Sequence, residues 1–167
     1  PMDVLQLSYI FLTQGQILQF AQVSELDALS LCISAICHDF GHDGFTNAYH
    51  VNQVSERAIR YSDQVFKELH ASESFALLNK TDYNFLEEFS RDDFKTFRQR
   101  FIGIILATDM ARHTSDLAKM KTFLEQKGIQ NGQNREQLIE RESHKKEFDS
   151  KQQLLEFAVH AADVALR

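Results

Sequence analysis

Apolar residues along this chain recur with the period of an α-helix, and no stretch alternates with a strand period for long. From Asp3 to Phe20, Val4, Leu5, Leu7, Ile10, Phe11 and Leu12 make a broad apolar face interrupted at Gly15. Ser24-Glu25-Leu26-Asp27 reads as a capping box opening a second helix, in which Leu29, Cys32, Ile33, Ile36 and Cys37 recur at helical spacing. A helix around Val51 to Tyr61 and another around Val65 to Leu78 follow, parted near Ser62-Asp63, and then a turn-rich connection from Thr81 to Phe89. Ser90-Arg91-Asp92-Asp93 is a second capping box, and the stripe Phe94, Phe97, Phe101, Ile104, Ile105, Thr108 predicts a long helix with an inward aromatic face. Arg112 to Leu124 continues helically, Glu125 to Ser150 is polar enough to read as a surface loop with at most a short helix, and Lys151 to Arg167 is the last helix. Leu154, Leu155, Phe157, Ala158 and Ala161 are its packing residues. The fold class this predicts is all-α, a compact multi-helix domain, and the only proline, Pro1, interrupts nothing.

Composition narrows the function without naming it. With 167 residues, 43% hydrophobic and 25% charged, one globular domain over residues 1–167 is expected. The net charge of −6, with no basic stripe to offset it, argues against a nucleic-acid partner, so an anionic substrate would depend on bound cations. No apolar run has the length of a membrane span, which argues against direct membrane insertion. Cys32 and Cys37 fall in an apolar helical run where reduced thiols are common, and a cytoplasmic setting is the expectation.

The chemistry is concentrated in Cys37 to His50, CHDFGHDGFTNAYH. His38 supplies a nitrogen suited to Zn²⁺-like ions, and Asp39 has two oxygens able to bridge two cations. A His-Asp pair alone is a common dipeptide, and a histidine at a helix end is often a capping or core residue. His42 and Asn47 strengthen the reading, because Gly41 and Gly44 free the backbone to turn both back toward one point. Near the other end, His160 and Asp163 are three apart and share a helix face. A carboxylate on a buried face is expensive unless its charge is compensated, so Asp163 is expected to point at a cation.

The run from His38 to Tyr49 resembles the HD-x-x-H-x-G-x-x-N signature of class I 3′,5′-cyclic-nucleotide phosphodiesterases. Leu106-Ala107-Thr108-Asp109-Met110 is similar to the LATDM helix of that family, and His160-Ala161-Ala162-Asp163 to its late H-x-A-D. The resemblance covers nearly the whole chain and implies a metal-dependent hydrolase that converts cyclic AMP or cyclic GMP to 5′-monophosphates in signal transduction, on a fold of the HD/phosphodiesterase type. It implies that His38, Asp39 and Asp163 hold a tight Zn²⁺-type ion, with Asp39 bridging to a second, weaker Mg²⁺ or Mn²⁺. His42 and Thr108 are then expected to orient coordinated water, and Asn47 to pin the turn or touch the phosphate. The family carries a glutamate followed three residues on by a histidine; aligning His70 with that histidine puts Lys67 at the glutamate, with Glu68 one position late. His70 and Glu68 are accordingly weaker candidates. His113, four residues from Asp109, is expected at the surface or paired with it.

Two further expectations follow from the resemblance. Pro1-Met2-Asp3-Val4 matches the end of a family segment that supplies a general-acid histidine and another metal histidine, so the chain is expected to be an incomplete catalytic domain, inactive alone, whose partner is the rest of a larger chain. The tail Val164-Ala165-Leu166-Arg167 departs from the S-N/H-P that follows the late aspartate in the family. Alternatives are an HD-type nucleotide phosphohydrolase, which the Asn47 offset and the LATDM segment disfavour, and an inactive binding or regulatory pseudoenzyme, which Lys67 and the altered tail favour.

Overall fold

The structure, a computed structural model, describes residues 1–15, 17–61, 65–126 and 144–166. Nine α-helices are formed among them: α1 (Met2–Thr13), α2 (Ile17–Phe20), α3 (Glu25–Cys37), α4 (Asn47–Asn52), α5 (Glu56–Tyr61), α6 (Val65–Leu78), α7 (Arg91–Ala107), α8 (His113–Gln126) and α9 (His144–Ala165). No strand occurs among the described residues, as the helical periodicity predicts. Short 3-10 turns at Thr81–Tyr83, Phe85–Glu88 and Met110–Arg112 complete the connections.

Helices α1, α3, α7 and α9 pack on one another, and their shared core contains Val4, Leu12, Leu31, Ala35, Ile104, Leu155, Val159 and Ala162. A second core joins α6 to the other side of α7. It is aromatic: Phe97 packs with Phe75, Phe85, Phe89 and Phe101, mostly edge to face, the geometry favoured by ring quadrupoles. The inward stripe on α7 is confirmed, with Phe97, Phe101, Ile104, Ile105 and Thr108 fully buried and Phe94 left partly exposed at the helix start.

Two faces are rotated from the sequence expectation. On α3 the innermost residues are Asp27, Ser30, Leu31, Ser34 and Ala35, while Ile36 is exposed. Small serines let a neighbouring helix approach closely, and each hydroxyl avoids a desolvation penalty by donating to the preceding turn, Ser30 to the Leu26 carbonyl and Ser34 to that of Ser30. On α9 the buried row runs through Leu155, Ala158, Val159 and Ala162, with Leu154, Phe157 and Ala161 at its margin.

Element boundaries differ from expectation in three places. The apolar run from Asp3 to Phe20 breaks into α1 and α2, and a Cβ at Gly15 would collide with the Phe11 carbonyl. The helix expected from Val51 to Tyr61 is two short ones, because Val54 takes a left-handed conformation (φ 49°) and parts α4 from α5. The last helix begins at His144, inside the expected loop; the rest of that loop, residues 127–143, and the Ser62-Asp63 junction lie outside the described residues. Ser24 and Asp27 form the full reciprocal capping box, whereas the Ser90 hydroxyl both accepts from the Asp93 amide and donates to its carboxylate. Among the described residues no helix is long and apolar enough to cross a membrane.

Candidate metal centre

Helix α3 ends with His38 as its C-cap, so the imidazole and the following carboxylate emerge where the chain leaves the bundle. His38 Nδ1 donates to the Ala35 carbonyl at 2.8 Å, which leaves Nε2 as the outward nitrogen. That Nε2 lies 3.2 Å from Asp39 Oδ2 and 3.5 Å from Asp163 Oδ1, bringing the first helix-end motif to the last helix across 125 positions of sequence. His38 and Asp163 are buried; the Asp39 side chain is about one-third exposed. Burial alone pushes the His38 imidazole down, and the carboxylates of Asp163 and Asp39 outweigh it, lifting it to about 9. Two carboxylates facing one buried nitrogen define a position that demands positive charge.

The donor set fits a divalent ion. One atom from each of His38, Asp39 and Asp163 lies within 4.8 Å of the others, the only such group of three among the described residues. Ligands about 2.0–2.2 Å from a tetrahedral ion stand about 3.4 Å apart, close to the 3.2 and 3.5 Å separations at His38 Nε2. The Ala35 carbonyl fixes the His38 tautomer in the manner of metal-binding histidines.

A second divalent ion at the other oxygen of Asp39 does not fit. Lys67, three residues before His70 on α6, places Nζ 3.0 Å from Asp39 Oδ1 and 3.4 Å from the His38 carbonyl. Asp39 therefore faces His38 with one oxygen and an ammonium with the other. Burial alone would raise its carboxyl; the hydrogen bond from His38 and the Lys67 charge hold it far below the usual carboxylate range.

The remaining predicted residues divide sharply. His70 is in the centre: fully buried, it donates from Nδ1 to the Phe40 carbonyl at 2.6 Å, and its Nε2, which has no hydrogen-bond partner, is 3.8 Å from Asp39 Oδ1. Burial, opposed by the Phe40 carbonyl and reinforced by Lys67, pushes the imidazole down to about 4. His42 is exposed, its ring stacked on Phe66 at 4.3 Å and on His70 at 5.6 Å. The Gly44 amide donates to His42 Nδ1 at 2.9 Å, so neutral His42 carries its proton on Nε2. Gly41 and Gly44 permit this turn with φ of 75° and 90°, values that strain other residues.

Asn47 pins the turn: its Oδ1 accepts from the Phe66 amide in the first turn of α6, one of the donors a helix start leaves without an intrahelical partner. Asp43 fixes the same loop from outside through Arg57 at 2.6 Å and His50 at 3.1 Å. Thr108 is fully buried as the C-cap of α7, and its hydroxyl donates to the Ile105 carbonyl of its own helix. Glu68 is exposed and lines a shallow groove with Phe75, Phe94 and Arg98, because one helical position turns it about 100° from Lys67. It is not part of the centre. His113 is neither isolated nor paired with Asp109: its Nδ1 meets Nε2 of buried His160 at 2.8 Å, while Asp109 caps the turn at Met110–Arg112. Sequence reasoning missed Phe66, the platform that holds His42, and the contact of Lys67 with Asp39.

Similar proteins bear on this geometry. The family described as 3′5′-cyclic nucleotide phosphodiesterase matches residues 1–166. A high affinity cGMP-specific 3′,5′-cyclic phosphodiesterase 9A of Drosophila melanogaster is 39% identical over 117 residues, 70% of this chain and 8% of that protein. A probable 3′,5′-cyclic-AMP phosphodiesterase of Caenorhabditis elegans, pde-4, is 34% identical over 143 residues, 85% of this chain and 20% of that protein. The crystal structure of the phosphodiesterase domain of the RhoPDE fusion protein from the choanoflagellate Salpingoeca rosetta superposes with a TM-score of 0.78 at 32% identity, covering 96% of this chain and 46% of that one. The chain thus spans less than half of each of these relatives. Divalent-metal use is general to this family, and the His-Asp-Asp cluster lies on the fold that carries it. On a match extending from the first residue to the penultimate one, this chain belongs to the 3′,5′-cyclic nucleotide phosphodiesterase family.

Proposed function

We propose that the protein containing this chain hydrolyses 3′,5′-cyclic nucleotides to 5′-monophosphates at the centre formed by His38, Asp39 and Asp163. The observation that carries the reading is the convergence of these donors, from the end of α3 and the buried face of α9, at ligand spacing. A nitrogen with two carboxylate oxygens suits a Zn²⁺-class ion at this position; the Mg²⁺ or Mn²⁺ implied by the resemblance has only the Asp39 oxygen that Lys67 holds. When bound, a divalent cation supplies Lewis acidity toward a phosphoryl oxygen and toward water.

The chain's own residues orient that chemistry. Asp163 and His38 hold their donors in place by burial, and the Ala35 carbonyl keeps His38 Nε2 turned inward. His42, beside them on Phe66, offers an N–H donor suited to an anionic phosphate oxygen. The departing ribose oxygen needs a proton. Neutral His70 does not supply it, because its one N–H is given to the Phe40 carbonyl, and His113 is engaged with His160. The two unpaired cysteines, Cys32 and Cys37, accord with a reducing, cytoplasmic setting.

Hydrolysis of cyclic AMP and cyclic GMP by the full-length protein, with Zn²⁺ and Mn²⁺ or Mg²⁺ supplied, tests the reading. Turnover is expected, and Asp39→Ala or Asp163→Ala should each reduce it by more than about 100-fold, beyond the loss typical of outer-shell partners. A folded, metal-loaded protein that binds cyclic nucleotides without converting them would replace hydrolysis by a binding role, the alternative that Lys67 beside Asp39 favours.

A further inference from the structure

We propose that Lys67 is a built-in cation, its ammonium standing in for a second metal at Asp39, so that the centre takes one divalent ion and not two. The inference rests on the reading of His38, Asp39 and Asp163 as the metal donors.

Position comes first. A carboxylate that bridges two ions must offer one oxygen to each, and Asp39 has Oδ2 turned to His38 at 3.2 Å and Oδ1 turned to Lys67 Nζ at 3.0 Å. The lysine is not a surface side chain folded over the site: only 10% of its side chain is exposed, and Nζ also donates to the His38 carbonyl. Burying an ammonium is costly unless it is paired and hydrogen-bonded, and Asp39 and that carbonyl meet the cost. A cation bonded to Oδ1 at about 2.0–2.1 Å, the distance Mg²⁺ requires, would lie within direct repulsion of Nζ.

Charge points the same way. With His38 counted as a neutral ligand, Asp39, Asp163 and Lys67 sum to one negative charge, and one divalent ion turns this positive. A second would add two further positive charges to a half-buried site whose one group of three close ligand atoms among the described residues, His38, Asp39 and Asp163, already serves the first. His70, the other group facing Asp39 Oδ1, brings no negative charge. A glutamate at residue 67 would make the same site more negative by two units, which is the condition under which a second dication is retained.

Metal binding can be counted without turnover. The full-length protein is stripped of metal, titrated with Mn²⁺ calorimetrically, and its metal content per chain measured by mass spectrometry after loading with Zn²⁺ and with Mn²⁺. Wild type is expected to hold one ion per chain, with no second site below millimolar Mn²⁺. Lys67→Glu should acquire a second Mn²⁺ site at least about 100-fold tighter than any in wild type, visible also as spin coupling between paired Mn²⁺ ions. Lys67→Met, which keeps the buried stem and removes the charge, should strengthen the second site less. Two tight ions in wild type, no ion at all, or a Lys67→Glu protein that still holds one, would overturn the proposal. Absence of hydrolysis from a protein holding one ion would overturn the hydrolase reading and leave the count of one standing.

Discussion

Glu156, on α9, is half-buried beside Arg112, Asp116 and Lys119 and accepts a hydrogen bond from Gln152 at 2.7 Å. Burial raises its carboxyl above the ordinary glutamate value, and the pull of Gln152, Arg112 and Lys119 does not fully reverse it. A raised folded pKa means that the native state binds more protons than the unfolded chain, so this group lowers stability as pH climbs above the unfolded value of about 4.3. Glu156→Gln keeps an acceptor for Gln152 and removes the buried charge. Its midpoint of thermal unfolding should exceed that of wild type at pH 7.5 and the gain should vanish near pH 4; an equal gain at both would refute the electrostatic account. The same scale shows why Glu68 and Lys67 were easily confused in sequence. Lys67 holds the position of the expected glutamate and Glu68 follows it by one, and only the helix rotation, about 100° per residue, separates a solvent-exposed acid from an ammonium on Asp39.

Between elements, one carboxylate performs two tasks. Asp27 Oδ2 accepts from the Ser24 amide, closing the capping box of α3, while its Oδ1 accepts from Arg100 Nε at 2.8 Å on α7, and both side chains are buried. The capping box was legible in sequence, because it depends on a spacing of three. Its reach to Arg100, 73 residues away, was not. Arg100→Ala leaves a buried carboxylate short of its cation and should cost about 3–5 kcal/mol in urea unfolding. Asp27→Asn combined with Arg100→Met should cost less than the sum of the single changes, as coupled neighbours do.

Across the whole molecule the centre is assembled by packing. His38 and Asp39 come from the end of α3, Lys67 and His70 from α6, and Asp163 from α9, while α7 packs against all three of these helices. Where α7 meets α9, a Cβ at Gly103 would run into the ends of the Gln152 and Glu156 side chains. Those ends are flexible, so Gly103→Ala should be tolerated. Gly103→Leu needs room that only movement of α9 provides, and α9 carries Asp163. The leucine variant should therefore bind Zn²⁺ at least about 10-fold more weakly than the alanine variant in a chelator competition, with both still folded by circular dichroism. Equal affinities would show that Asp163 is placed independently of the α7–α9 contact.

Much of this molecule is local and was readable as such. The helical period, the Ser24 cap, the aromatic stripe of α7 and the His38-Asp39-Gly41-His42-Gly44-Asn47 order depend on residues a few positions apart, whose spacing dictates which side chains share a face or a turn. Asp163 was also accessible, because a carboxylate on a buried helix face needs a compensating charge. Tertiary structure decided what spacing does not contain: the serine face by which α3 packs, the break at Val54, the pairing of His113 with His160, the stacking of His42 on Phe66, and the contact of Lys67 with Asp39. Each of these joins segments or overrides a local preference through packing. A salt bridge between residues 39 and 67 has no periodic signature; it exists because α6 docks with the face that carries Lys67 and His70 turned toward the end of α3.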